Sequence, residues 1–567
     1  MKVLLIAPPI EDFFFTHQRA YPLGLLALAA PLLEDGFGVR VLNALQGGTR
    51  TSIPVPKKFA YLERYYQPNK SPLCLFSHYY RFGSSDTSLE CEIRSFAPDI
   101  VGISANFSAY LSGALNVACI VKRVDARIRV VVGGHAATAS PEYVLSHACV
   151  DFAVRGEGEV IFHKLCKALR DALPLPRSGL CYKISGRMRI EPAPEVITDL
   201  NSLPAPAHEL IARQAYRFHN LASASLITSR GCMRHCRFCA IQERFRARPA
   251  SSVIEEIRAC YDLGVRHFNF EDDTITHNPA FGEILEELGT RFTGIKISLM
   301  NGLLSHNLSG QLCKKLIRAG LTHLDFSLIS SNHRLRRACS RLERPERIYS
   351  VARAMSRVGI DSTVHFIVGL PQQRFRDALK DLRLLAAEPV QLGQSIFYPV
   401  IESPMFENLQ DTFGINESDF EFFRSSAAFF DKALSRDELF TVFYYSRVIN
   451  FVKNIIEERS LGTRSFAALL GRVRRLYRVE HSFLHAATAL DRQMLGIILL
   501  GKVLEHGVIF RAHTVRAGSQ LGYRLTREEF IDIKTTRTFF SGLCVCSCRS
   551  RCITLPVCGP VAKRNRP

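Results

Sequence analysis

The chain has no tryptophan and only 7 methionines among 567 residues, and it lacks any apolar run long enough to cross a bilayer. Its most apolar late stretch, Met494 to Leu500, falls far short of the roughly 20 residues a spanning helix requires, so no membrane span is expected. The opening Met1-Lys2-Val3-Leu4-Leu5-Ile6-Ala7-Pro8-Pro9 has an apolar run, Val3 to Ala7, shorter than the roughly 7 to 15 residues of a signal-peptide core. It reads as a buried first strand. With no export signal, the 17 cysteines point to a reducing, cytoplasmic setting, where clustered thiols bind metal more often than they form disulfides. Cys119, Cys149 and the other scattered thiols are therefore expected as single core or surface residues. Acidic residues are also scarce: 53 Asp and Glu against 73 Lys and Arg leave a formal charge of +20, and none follows Ser541. That bias favours anions, but no RNA-binding module is recognisable, so nucleic acid is not expected as a partner.

What is present is ordinary globular composition, 47% hydrophobic and 22% charged, over a length that exceeds one core and implies two or three domains. Apolar runs at Val3 to Ala7, Val39 to Leu42, Asp99 to Ser104, Val130 to Val132 and Asp151 to Val154 alternate with helical periods from Leu23 to Leu33 and through about Val124. This pattern predicts an α/β fold opening with a doubly wound, Rossmann-like parallel sheet over residues 1–190, whose ligands bind at the carboxyl ends of its strands. Ser104, Gly133 and Gly134 occupy such ends: a hydroxyl that can bond a ligand, and glycines that permit close backbone approach. A tight turn alone would also explain the two glycines.

The prolines of residues 191–221 mark a linker. Six apolar strands then recur within 222–402: Ser225 to Thr228, His267 to Phe270, Lys296 to Met300, His323 to Leu328, Ser362 to Val368 and Ser395 to Pro399. Helical stretches between them predict a partial (β/α)6 barrel of the TIM type, with chemistry at the strands' C-terminal ends. Directly after the first strand stands Cys232-Met233-Arg234-His235-Cys236-Arg237-Phe238-Cys239, a C-x3-C-x2-C spacing. Three soft thiolates on one loop can hold three corners of an iron–sulfur cubane and leave the fourth iron open. Zinc is the rival, but structural zinc wants four closed ligands, and His235 would have to complete the set within a cramped loop. Arg246 and Arg248, just beyond, are candidates for anionic groups.

This cysteine motif resembles the radical SAM superfamily, and the N-terminal segment resembles the cobalamin-binding domain that precedes the barrel in its B12-binding members. In the latter, residues 107 to 132 place 26 positions between Ser104-Ala105-Asn106 and Gly133-Gly134, similar to the family's serine-to-diglycine spacing; Asn106 departs from the usual leucine. No Asp-x-His-x-x-Gly motif is present, and His17 and His135 are taken as loop residues rather than cobalt ligands. The resemblance implies a 4Fe-4S cluster on Cys232, Cys236 and Cys239, S-adenosylmethionine on the open iron, cobalamin at the N-terminal sheet, and reductive formation of a 5′-deoxyadenosyl radical. It further implies cofactor contacts from Phe238 over the cluster, Asp272 and Asp273 toward the methionine ammonium, Asn301 and Ser327 at the ends of strands three and four, and Gly369 in the strand-five segment against adenine. The partners implied are a small-molecule substrate and a one-electron donor such as flavodoxin or ferredoxin. Methyl transfer to an unactivated carbon is the leading activity, with radical rearrangement or cyclisation, or a non-catalytic sensing module, as alternatives.

Beyond Glu402, periodicity predicts a mostly helical region over 403–543 that caps the barrel. The tail, 544–567, holds Cys544, Cys546, Cys548, Cys552 and Cys558 in no recognisable metal spacing and is expected to be disordered.

Overall fold

The computed structural model describes the chain except residues 17–19, 67–69, 212–215, 242, 477–482, 486–491, 518–519, 529 and 557–567. His17 and Cys558 lie outside the described residues.

The first layer is a seven-stranded sheet. Lys2–Ala7, Gly38–Asn43, Ile100–Ser104, Arg129–Gly133 and Phe152–Val154 run parallel, and Leu180–Ile184 with Arg187–Arg189 adds an antiparallel edge. Alternation along each strand sends Leu4, Ile6, Val101 and Ile103 to one core with the helix Leu111–Val124. Val3 and Leu5 go to the other, beneath the helices Leu23–Glu34 and Gly158–Asp171. Taking the parallel strands in chain order, their spatial order is 2-1-3-4-5. The order reverses between Lys2–Ala7 and Ile100–Ser104, the point at which an open α/β sheet leaves a crevice for ligand.

The second layer is an open half-barrel. Leu221–Leu226, His267–Phe270, Lys296–Leu303, Leu321–Ile329, Asp361–Val368 and Gln391–Ile396 are parallel and neighbour one another in chain order. The first strand starts and stops earlier than its apolar run suggests, because Thr228 leaves the ladder to bond a carboxylate. A short strand absent from the sequence reading, Arg217–Phe218, pairs antiparallel on its outer edge.

Four departures from expectation concern what surrounds these layers and how the cysteines pair. Phe59, Leu62, Tyr65 and Tyr66, within the span expected to belong wholly to the N-terminal domain, are buried in the core shared by the barrel and the helix Arg436–Glu458. The region after the barrel is not only helical, since Phe510–Ala517 and Gln520–Arg527 form an antiparallel pair. The tail is ordered as far as it is described: Cys544–Cys546 and Cys552–Thr554 make a hairpin with Val545 and Ile553 buried. Lys453 holds it by donating to four carbonyl oxygens, that of Cys546 among them at 2.6 Å. Two cysteine pairs, Cys119–Cys149 and Cys546–Cys552, are joined as disulfides, against the expectation of single thiols; each pair meets only through the fold. Among the described residues no helix is long and apolar enough to cross a membrane.

Candidate functional site

The cysteine loop is built by its two ends. At its start Gly231 has φ +78°, and a Cβ there would stand 2.5 Å from Arg244 O and 2.8 Å from Glu243 O, so only glycine lets the outgoing and returning backbones close together. Ser229–Arg230 and Arg246–Ala247 pair antiparallel across that closure. Below it, Asp272 is buried and receives Thr228 N at 3.0 Å, Thr228 Oγ1 at 2.7 Å and Ser229 Oγ at 2.6 Å. Burial raises its pKa although these donors oppose the shift. Asp272 is thus a clamp on the loop's base, which differs from the ammonium contact expected of it. Asp273, half-buried next to it, has its pKa pushed to about 6, first by burial and then by the Asp272 and Glu243 carboxylates.

Cys232, Cys236 and Cys239 are all outside disulfides. Arg234 N donates to Cys232 Sγ at 3.4 Å, and Arg341 Nη1 to Cys236 Sγ at 3.8 Å. Burial raises the Cys232 thiol and brings Cys239 to about 11. Arg341 was missed by sequence reasoning. It is buried, its Nη2 donates to Ser327 O at 3.3 Å, and its Nε has no partner. A guanidinium at a thiolate loop offsets negative charge, and soft thiols beside a buried cation are a donor set that fits an iron–sulfur cluster.

The remaining candidates fall into two groups. Ser327 sits near the end of strand four, and Asn301 Nδ2 donates to Glu271 O at 2.6 Å; both border the barrel mouth. Phe238 instead joins an apolar group with Ala139, Ile329, Leu370 and Phe397, so it packs between the layers. Gly369, with φ +90°, would place a Cβ 2.9 Å from Leu439 Cδ2, so its backbone conformation and helix packing already require a glycine there. Arg246 and Arg248 are each committed to carboxylates, Arg246 to Glu157 at 2.8 Å and Arg248 to the buried Glu256, which leaves neither as an anion site.

At the N-terminal sheet, Ser104 lies at the switch point and pairs with Gly133. A Cβ on Gly133 would meet Val154 at an ordinary 3.7 Å, but one on Gly134 (φ +106°) would press Asn106 Oδ1 at 2.7 Å. Gly134 is therefore dictated by the backbone, and Gly133 leaves room. Phe107, 58% exposed, follows the strand at the same edge. A hydroxyl, an open glycine and an uncovered ring suit a large, flat, partly apolar cofactor. The two layers are registered by ion pairs: Arg230 reaches Glu157 at 3.0 Å and Glu159 at 2.5 Å, and Arg246 also holds Glu157. The turn Gly156–Glu159 of the first layer thereby fixes the residue two positions before Cys232.

A switch-point sheet set against an open barrel with a three-thiol loop defines an enzyme that works with two large cofactors. The family model of the Radical SAM superfamily matches residues 226–385, and that of the B12 binding domain matches 78–165. An uncharacterized methyltransferase of Pyrococcus horikoshii is 30% identical over 382 residues, covering 66% of this chain and 75% of that protein. The cytidylyl-2-hydroxyethylphosphonate methyltransferase of Streptomyces wedmorensis is 25% identical over 413 residues, covering 65% and 73%. Among solved structures, the cobalamin-dependent S-adenosylmethionine radical enzyme OxsB, with aqua-cobalamin and S-adenosylmethionine bound, shares the fold at a TM-score of 0.55 and 15% identity, covering 88% of this chain and 78% of that one. The chain belongs to the B12-binding radical SAM superfamily. Its cofactors are accordingly a 4Fe-4S cluster, S-adenosylmethionine and cobalamin, and its reaction requires a one-electron reductant and a small-molecule substrate.

Proposed function

We propose that this protein is a cobalamin-dependent radical SAM methyltransferase that methylates an unactivated carbon. When bound, the cluster and S-adenosylmethionine supply a carbon-centred radical able to remove hydrogen, and cobalamin supplies the methyl group. In this reading Cys232, Cys236 and Cys239 hold the cluster, and Arg341 balances its charge from below. Asp273, Asn301 and Ser327 orient S-adenosylmethionine at the barrel mouth, while Asp272 keeps the loop in place. Ser104 and Gly133 receive cobalamin at the switch point, with Phe107 against its face. The electron donor is a flavodoxin or ferredoxin, and the setting is the cytoplasm.

The observation that carries the reading is the trio of undisulfided thiols on a loop that Gly231 and Asp272 fix at the end of the first barrel strand. The methyltransferase names of the two sequence relatives favour methyl transfer over rearrangement. Anaerobic purification with iron, sulfide and cobalamin quantified together, followed by reduction with S-adenosylmethionine, tests it. Bound cobalamin, 5′-deoxyadenosine release and a product heavier by one methylene unit are expected. Deoxyadenosine with an unmethylated product from the true substrate would refute methyl transfer. Iron retention after alanine replacement of all three cysteines would refute the site.

A further inference from the structure

The inner wall of a parallel barrel is normally filled by branched apolar side chains. Here the register sets Ser225, Asn269, Ser298 and His323 side by side across the first four strands. These groups bond one another. Ser225 Oγ donates to Glu271 Oε1 at 2.5 Å, Asn269 Nδ2 to the same oxygen at 3.1 Å, and Ser298 Oγ to Asn269 Oδ1 at 2.9 Å. Further along strand four, Asp325 lies between two imidazoles, with His323 Nε2 2.8 Å from its Oδ1 and His365 Nε2 3.4 Å from its Oδ2. Burial would raise the Asp325 carboxyl, but the two histidines hold it down at about 2, so it is an ionised acceptor at neutral pH.

One nitrogen on this wall is left over, His267 Nε2, buried without a hydrogen-bond partner, and His365 Nε2 has only its long 3.4 Å contact with Asp325 Oδ2. Both rings are fixed. His267 stacks on Phe218 at 4.0 Å and shares a hydrogen bond with Ser223 Oγ at 2.8 Å through Nδ1. His365 rests on Gly393, where any Cβ would come within 2.5 Å of its Nδ1. Beside His267 opens a cavity of about 350 Å³, lined by Tyr21, Tyr216, Phe218, Ser223, Asn269 and Met300 among others, at the small end of the range for small-molecule sites. Leaving such a polar group buried and unbonded is costly, and a ligand of matching chemistry removes that cost.

We propose that this inner face is the substrate seat, and that the substrate is a compact polyhydroxylated molecule whose hydroxyls satisfy His267, His365 and Asp325. A hydroxyl both donates and accepts, so it suits an imidazole nitrogen with or without a proton and also a carboxylate. An apolar substrate would leave His267 Nε2 unbonded and His365 Nε2 with only its long contact to Asp325, and a carboxylate-bearing one would meet the Asp325 carboxylate. The aromatic side of the cavity, Tyr216 and Phe218, suits the C–H face of a ring. The assignment rests on the radical SAM reading, and the following experiment separates the two.

The reconstituted, reduced holoenzyme is supplied with S-adenosylmethionine and one of two ring-matched probes, C-deuterated myo-inositol or perdeuterated cyclohexane. A C–D bond broken in the seat delivers its deuterium to C5′ of the released deoxyadenosine. Deuterated deoxyadenosine is expected from inositol and not from cyclohexane, and the deuterated fraction should fall at least tenfold in His365→Leu and be partly restored in His365→Gln. Because the fraction is read on released deoxyadenosine, only folded, cluster-loaded enzyme contributes. Saturation-transfer NMR on the unreduced holoenzyme should give inositol signals that weaken in His365→Leu. Labelling from cyclohexane, no labelling from inositol, or a fraction that His365→Leu leaves intact would each overturn the substrate seat alone. Absence of any deoxyadenosine overturns the radical SAM reading and this one with it.

Discussion

At the scale of single residues, two buried side chains have consequences that can be measured. Asp272 gathers the amide and hydroxyl of Thr228 and the hydroxyl of Ser229. Asp272→Ala leaves these donors unpaired at the root of the cysteine loop and should cost about 2–4 kcal/mol, with iron per chain falling well below wild type after reconstitution. Asp273→Ala, lacking those bonds, should keep its iron. His267 offers a pH test. Burial, and next the nearby His219, lower its pKa to about 4 from the ordinary 6.5. Between those values the unfolded chain takes the proton and the folded one does not. Stability is therefore fullest above about pH 6.5 and falls as pH drops toward 4, by up to ~3 kcal/mol. Thermal melts at pH 7 and pH 4.5 should show a smaller acid-induced drop in His267→Asn than in wild type.

At the scale of elements, glycine positions separate backbone demand from ligand demand. Gly231→Ala and Gly134→Ala each force a Cβ to within 3 Å of fixed atoms at positive φ, a strain of roughly 1–3 kcal/mol or more. The first should empty the cysteine loop of iron, and the second should destabilise the N-terminal layer. Gly133→Ala meets only ordinary contact, so its melting temperature should stay within a few degrees of wild type while cobalamin content drops if the cofactor lies there. Sequence reading did not separate these two neighbours, since the difference lies in the positive φ of Gly134 and in Ala105 and Asn106, which the chain after Ser104 brings against it. The strands themselves were legible where apolar runs of about five residues carry their own signal, as at Val3 to Ala7. The hairpin Phe510–Arg527 was not. Its alternation of basic and apolar residues was absorbed into the helical period of its neighbours. Arg341 was hidden among Arg334, Arg336, Arg337 and Arg344, and only the fold turns this one toward Cys236. The burial of Phe59, Leu62, Tyr65 and Tyr66 was not legible, because it is supplied by a helix nearly four hundred residues away.

At the scale of the whole molecule, cofactor chemistry requires two layers held at a fixed distance, and the glutamates after Gly156 make that connection. Burial alone would raise the Glu157 carboxyl. Hydrogen bonds from Arg246 and the Ile197 amide, together with Arg230, outweigh it and hold the pKa below the ordinary value. A carboxylate with a lowered folded pKa stabilises the protein above its unfolded pKa of about 4.3 and loses that contribution as pH falls through the folded value. Glu157→Gln mimics the protonated state at every pH, and it leaves the buried Arg246 without that partner, for which a loss of about 3–5 kcal/mol is typical. At pH 7 the variant should melt well below wild type and be cut faster by protease in residues 191–211, between the layers. As the pH is lowered through the folded pKa of Glu157 the two curves should converge, since wild type then carries the same uncharged group. Parallel curves with no convergence would mean that the layers are held in register by the apolar contacts of Phe238 and Ala139 rather than by charge, and cobalamin would then be positioned independently of the arginine that precedes the cluster loop.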